Sequence, residues 1–141
     1  MNKFMRYYRE ARALGFTAAC AIEDARTRCG WDELLEENLV KLEIVPDNVD
    51  CDLSWLDQDC YKGDRGGRAM RKRLLDIAKS DGLFGCVGYW RLNDDDEWRQ
   101  GGSVWGFIGS NDARNNCYIP DLMRETMDCY WRAALRMLRQ S

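Results

Sequence analysis

Two strand-length runs, residues 83–92 and 97–108, flank the polar stretch 93–96, and this pattern constrains the fold more than any other feature of the chain. In the first run Phe84, Cys86, Trp90 and Leu92 alternate with Val87 and Tyr89, the period of two that a strand imposes on its faces. The second run returns as its hairpin partner, with Gly101 and Gly102 marking a bulge or a kink. Trp90 and Trp105 fall within these strand patterns and are expected in the core. Val40, Leu42 and Ile44 alternate with Lys41 and Glu43, adding a third strand that Pro46 ends.

Helical signals lie on both sides of these strands. Residues 5–14 read as a short helix stopped at Gly15, and Thr17 can cap a second helix running through Ile22 to about Arg28, with Gly30 as its terminator. The pair invites comparison with a helix-turn-helix, but Glu23 and Asp24 stand where a phosphate-facing helix needs neutral or basic side chains. Residues 47–67 read as a polar loop around an apolar knot at Leu53, Trp55 and Leu56. A basic helix follows over 68–79, with Met70, Leu74, Leu75 and Ile77 as its apolar stripe, closed by Asp81 and Gly82. Residues 111–116 read as a loop. Pro120 and Asp121 then open the longest helix, where Met123, Met127, Tyr130, Ala134, Met137 and Leu138 form a core stripe. The expected fold is therefore α+β: a small antiparallel sheet of about three strands packed against N-terminal and C-terminal helices, as a single domain over 1–141.

Charge is strongly segregated along the chain. Residues 31–60 hold ten carboxylates against the single base Lys41, whereas residues 61–80 hold seven bases against Asp64 and Asp76. The sum over 141 residues is only −3, so the chain is polarised more than it is acidic. Such a pattern speaks of association with a partner. Within the acidic block Trp31 and Trp55 stand beside carboxylates, and an aromatic anchor ringed by charge resembles a binding hot spot. The candidate partner-binding residues are Trp31, Glu33, Glu36, Glu37, Asp52, Trp55, Asp57 and Asp59. The net acidity disfavours direct nucleic-acid binding.

Several chemistries are excluded or disfavoured by residue type. The chain has no histidine, which removes every Ser-His, Cys-His and His-metal arrangement. Its seven cysteines include no Cys-x-x-Cys pair and read as reduced, mostly buried thiols of a cytoplasmic protein; bridges between Cys20 and Cys29 or Cys51 and Cys60 remain open on spacing alone. Asp47, Asp50, Asp52, Asp57 and Asp59 lack the spacing of a calcium loop, so neither a metal nor a cofactor is expected, and a carboxylate metal-dependent hydrolase is the lesser alternative to a protein without catalysis. No apolar run approaches the ~20 residues that span a bilayer, and neither a signal peptide nor an anchor is expected. Gly63, Gly66 and Gly67 match no phosphate-loop spacing, yet the basic helix after them could grip a phosphate or nucleotide. Arg65, Arg68, Arg71 and an aromatic such as Trp98 are the candidate ligand-binding residues for that reading.

Gly85-Cys86 with Tyr89 and Trp90, then Trp98, then Gly102-Ser103-Val104-Trp105-Gly106-Phe107-Ile108-Gly109 and an acidic helix form a recognisable cadence. It resembles a group of small accessory proteins of bacteriophages and other mobile elements in which a Ser-x-Trp-Gly-Ile-like strand precedes such a helix. The resemblance transfers no catalytic residue. It implies an anti-defence, anti-CRISPR-like inhibitor in the cytoplasm of a bacterial host, binding a defence protein with a basic surface stoichiometrically through the acidic, Trp-containing face. The alternative is a protein that sequesters a small phosphorylated ligand or nucleotide. A homodimer, through the final helix or an open sheet edge, is left open.

Overall fold

The structure is a computed structural model describing residues 2–47 and 53–140. Its helices are α1 (Lys3–Ala13), α2 (Ala18–Arg28), α3 (Trp31–Glu36), α4 (Asp59–Lys62), α5 (Arg65–Ser80), α6 (Ser110–Arg114) and α7 (Ile119–Gln140), with a 3-10 turn at Ser54–Asp57. The strands are β1 (Val40–Pro46), β2 (Leu83–Trp90) and β3 (Arg99–Ile108), paired antiparallel in the order β1-β2-β3. The α+β expectation is met. The chain divides into two compact units, one of Met1–Glu43, Val87–Gly102 and Pro120–Ser141, the other of Ile44–Cys86 and Ser103–Ile119.

In the first unit, α1 and α2 begin at side-chain caps. Asn2 accepts from the Met5 N–H at 2.9 Å and Thr17 from the Cys20 N–H at 3.2 Å, each satisfying an orphan donor of a first turn. Gly15 links the two helices in the left-handed region, at φ 96°. Gly30 directly follows the Cys29 C-cap of α2, as expected of its terminator, and also takes the N-cap position of α3. Phe4, Ala25, Cys29, Leu34, Leu39, Val40, Tyr130 and Ala134 form the core, with the Phe4 and Tyr130 rings edge to face at 6.5 Å. Burial of a Phe or Leu of this kind contributes roughly 1.5–3 kcal/mol.

The long helix α7 lies on the strands through a row that keeps Tyr130 and Ala134 of the expected stripe but has Leu122 and Thr126 in place of Met123 and Met127. Leu122, Thr126, Tyr130 and Ala134 are buried, Met123 and Met127 are half-buried, and Met137 is 38% exposed. The cause is glycine on the facing strands. A Cβ on Gly88 or Gly101 would collide with Thr126, and one on Gly102 with Glu125. The Gly101-Gly102 pair is thus a seat for α7, which brings the helix backbone close to β3.

In the second unit, α5 begins at Arg65, three residues before its expected start, because Asp64 caps it by accepting from the Gly67 N–H at 2.7 Å. A Cβ on Gly67 would strike the Cys60 carbonyl, so this glycine lets α5 cross α4. The expected long loop 47–67 accordingly contains the 3-10 turn and α4. Residues 111–116, expected as a loop, fall largely in α6. Asp81 holds the start of α6 by accepting from the Ser110 N–H at 2.8 Å and its Oγ–H at 2.9 Å, and these two bonds hold its carboxyl below the ordinary range. Trp105 lies across Gly85 and is 48% exposed, contrary to the core position expected of it.

Candidate ligand-binding site

In the first unit, the end of the β2–β3 hairpin and the outer face of α7 enclose a cavity of about 540 Å³. The hairpin end is fixed by its own polar groups. Asn93 donates from its backbone N–H and its Nδ2 to Asp96 Oδ2, at 3.1 and 3.2 Å. Arg91 donates from Nε to the Asn38 carbonyl at 2.9 Å and from Nη1 to the Asp96 carbonyl at 3.1 Å. Its guanidinium also lies 4.0 Å from the Trp98 ring centroid, with Lys41 Nζ at 4.5 Å. Such cation–π contacts contribute about 0.5–2 kcal/mol each and hold Trp98 in place.

The cavity wall behind this frame is cationic and aromatic. Arg99 sits 5.7 Å over the Trp90 ring, and α7 supplies Cys129, Arg132, Ala133 and Arg136. Arg132 and Arg136 are exposed, stand one helical turn apart, and form no hydrogen bond or ion pair with the described residues. Like charges at that spacing repel by a few tenths of a kcal/mol. Asp96 and Glu97 are the carboxylates of the lining, against Arg91, Arg99, Arg132 and Arg136. A volume of this size suits a small molecule, and planar guanidinium forks suit phosphate oxygens. Among the described residues no group of three or more Cys, Asp or Glu could hold a metal ion.

The acidic candidates do not assemble into one described site. Trp31, Glu33, Glu36 and Glu37 belong to the first unit and Asp57 to the second, while Asp52 and the side chains of Trp55 and Asp59 lie outside the described residues. Trp31 is half-buried against the core. Lys3 bridges Glu33 and Glu37, at 2.6 and 2.7 Å, so these carboxylates are already answered, and their bonds raise the Lys3 ammonium above its ordinary range. Glu36 is exposed and unpaired among the described residues.

The basic candidates are divided as well. Arg68 and Arg71 line a groove in the second unit, Arg65 is exposed in the first turn of α5, and Trp98 belongs to the first unit. All six described cysteines are free, which removes the Cys20–Cys29 bridge, and Cys51 lies outside the described residues. Among these six, Cys29 and Cys86 are buried, whereas Cys20, Cys60 and Cys117 are exposed. The expectation of mostly buried thiols fails because three of the six stand on outward positions of helices or loops.

The cavity residues Trp90, Arg91, Arg99, Arg132 and Arg136 were not singled out as ligands from the sequence. A signal was present in the Arg-x-x-x-Arg spacing on α7 opposite its apolar row. No protein-family model, curated protein or solved structure matches this chain. Among the described residues no helix is long and apolar enough to cross a membrane.

Proposed function

We propose that the protein is a binding protein without catalysis that sequesters a small phosphorylated ligand carrying a planar ring, a nucleotide in chemical class, in the cavity between the hairpin and α7. The observation that carries this reading is the Arg132–Arg136 pair, unpaired and self-repelling beside Trp90 and Arg99. A phosphate there replaces repulsion with charge-assisted hydrogen bonds of about 1.5–3 kcal/mol each, and the indole wall offers a stacking surface. Isothermal titration with a nucleoside, its monophosphate and inorganic phosphate tests it. The monophosphate is expected to bind most tightly, with Arg132→Gln and Arg136→Gln each weakening it about tenfold, or 1.4 kcal/mol. Equal binding of nucleoside and nucleotide, or indifference to both substitutions, would sink the proposal.

A second reading rests on α3, where Leu35 is 48% exposed beside the exposed, unpaired Asp32 and Glu36. An apolar side chain ringed by carboxylates suits a basic protein surface, as an inhibitor of a host defence protein would require. Recovery of one bacterial protein from a pull-down at low salt, lost at high salt and with Glu36→Lys, is the expected result for that role.

A further inference from the structure

In the second unit, the groove of about 490 Å³ between α4 and α5 is lined by Tyr61, Lys62, Arg68, Arg71, Lys72 and Leu75, with Asp57 and Asp76 as its carboxylates. One anionic oxygen already sits among these cations. Asp57 Oδ1 accepts from Arg71 Nη2 at 3.1 Å and lies 4.0 Å from Lys62 Nζ. The Arg71 Nε, which shares a donor edge with Nη2, is buried and has no hydrogen-bond partner. That fork is therefore half used. Arg68 and Lys72, exposed and one turn apart, form no ion pair among the described residues.

We infer that this groove is a second anion site, separate from the cavity of the first unit, whose ligand is a dianionic phosphate group. A tetrahedral phosphate has an oxygen for each arm of the Arg71 fork and a third for Arg68 or Lys72, whereas the single Asp57 oxygen meets one arm alone. Asp57 acts as an internal competitor. It keeps Arg71 ordered in the empty state and yields when a ligand of higher charge enters. The buried Nε supplies the gain, because an unmet buried donor costs free energy until an acceptor reaches it.

The test is a titration of the uniformly ¹⁵N-labelled full chain with inorganic phosphate and, separately, with a phosphoserine tripeptide, followed by amide shifts. Shifts at residues 57–76 are expected, distinct from those at 90–99 and 129–136 that report the first cavity. Asp57→Asn is expected to tighten binding at 57–76 about tenfold by removing the competitor. Arg71→Lys, which keeps the charge and loses the fork, is expected to weaken it at least fivefold. Equal affinity for the two probes assigns a free phosphate as the source, and tighter binding of the peptide assigns a phosphorylated side chain. Shifts confined to the first cavity overturn this site and leave the first standing. Binding at 57–76 that ignores Asp57→Asn, or that Arg71→Lys reproduces, overturns it too. Unchanged spectra elsewhere in each variant establish that it is folded.

Discussion

The Trp131 indole Nε1–H donates to the Cys29 carbonyl oxygen over 3.1 Å, tying the middle of α7 to the end of α2 across 102 residues of sequence. Cys29 is the C-cap of α2, so this bond satisfies a carbonyl that the helix itself leaves open. Trp131→Phe keeps most of the apolar surface and deletes the donor. A loss of about 1–2 kcal/mol in urea unfolding is expected, since a part-buried acceptor is left unmet. A loss under 0.3 kcal/mol would mean that water replaces the indole.

The same Cys29 gives the fold an alkaline limit. Burial, reinforced by the Glu33 carboxylate, pushes its thiol from the ordinary 9.0 up to about 11. An acid whose pKa is raised by folding holds its proton more tightly in the folded chain. Its contribution is therefore intact below pH 9 and is lost as pH rises from 9 to 11. Stability is expected to fall through that window in the native chain and less steeply in Cys29→Ala, with denaturant midpoints at pH 8, 9, 10 and 11 as the measurement. Burial also raises the Tyr130 hydroxyl above its ordinary value of 10.0, so a further fall that begins at about pH 10 is expected in both proteins. Iodoacetamide at pH 8 is expected to label the exposed Cys20, Cys60 and Cys117 quickly and to reach Cys29 and Cys86 only on unfolding.

Thr126 sits where Gly88 and Gly101 open the sheet, and its Oγ1 is buried without a hydrogen-bond partner. Gly88→Ala drives a methyl group into that hydroxyl, and a loss of about 1–3 kcal/mol is expected from overpacking. Thr126→Ala removes a desolvated hydroxyl along with a methyl group, so its own cost is expected to stay near 1 kcal/mol. If the collision is the cause, the double variant is less damaged than the sum of the two. Additive losses in the double-mutant cycle would show that the glycine matters for its backbone alone.

Much of this architecture was legible because local chemistry and long-range packing agree. Thr17 caps α2, Val40–Pro46 forms a strand, and Pro120 stands in the first turn of α7, all as their residue types require. The failures occur where a neighbour remote in sequence decides. Gly66 and Gly67 looked like loop, yet Asp64 and the Cys60 carbonyl make them the opening turn of a helix. Trp105 looked like core, yet the bare backbone of Gly85 gives it a flat seat with one face left in water. The candidate cavity was hidden for a related reason. Arginines opposite the apolar face of a helix read as solvated charge until the hairpin end is placed beside them, and only the fold puts Arg99 and Trp90 next to Arg132 and Arg136.

That placement separates a ligand site from an ordinary charged surface by a thermodynamic test. Where Arg132 and Arg136 merely solvate α7, replacing either with Gln relieves the same small repulsion with or without added nucleotide, and stabilisation by nucleotide is unchanged. Where they form a site, their mutual repulsion is a cost borne in the absence of ligand. Arg132→Gln is then expected to raise the stability of the ligand-free protein by up to about 0.5 kcal/mol. The same substitution is expected to remove about half of the stabilisation by nucleotide, which amounts to about 2.7 kcal/mol for the native chain at a hundredfold excess over Kd and falls to about 1.4 kcal/mol when Kd rises tenfold. Thermal unfolding of both proteins, with and without nucleoside monophosphate, reads the two effects with opposite sign. A variant less stable than the native chain when ligand-free would show that Arg132 supports the fold, and the binding role would then rest on Arg99 and Arg136 alone.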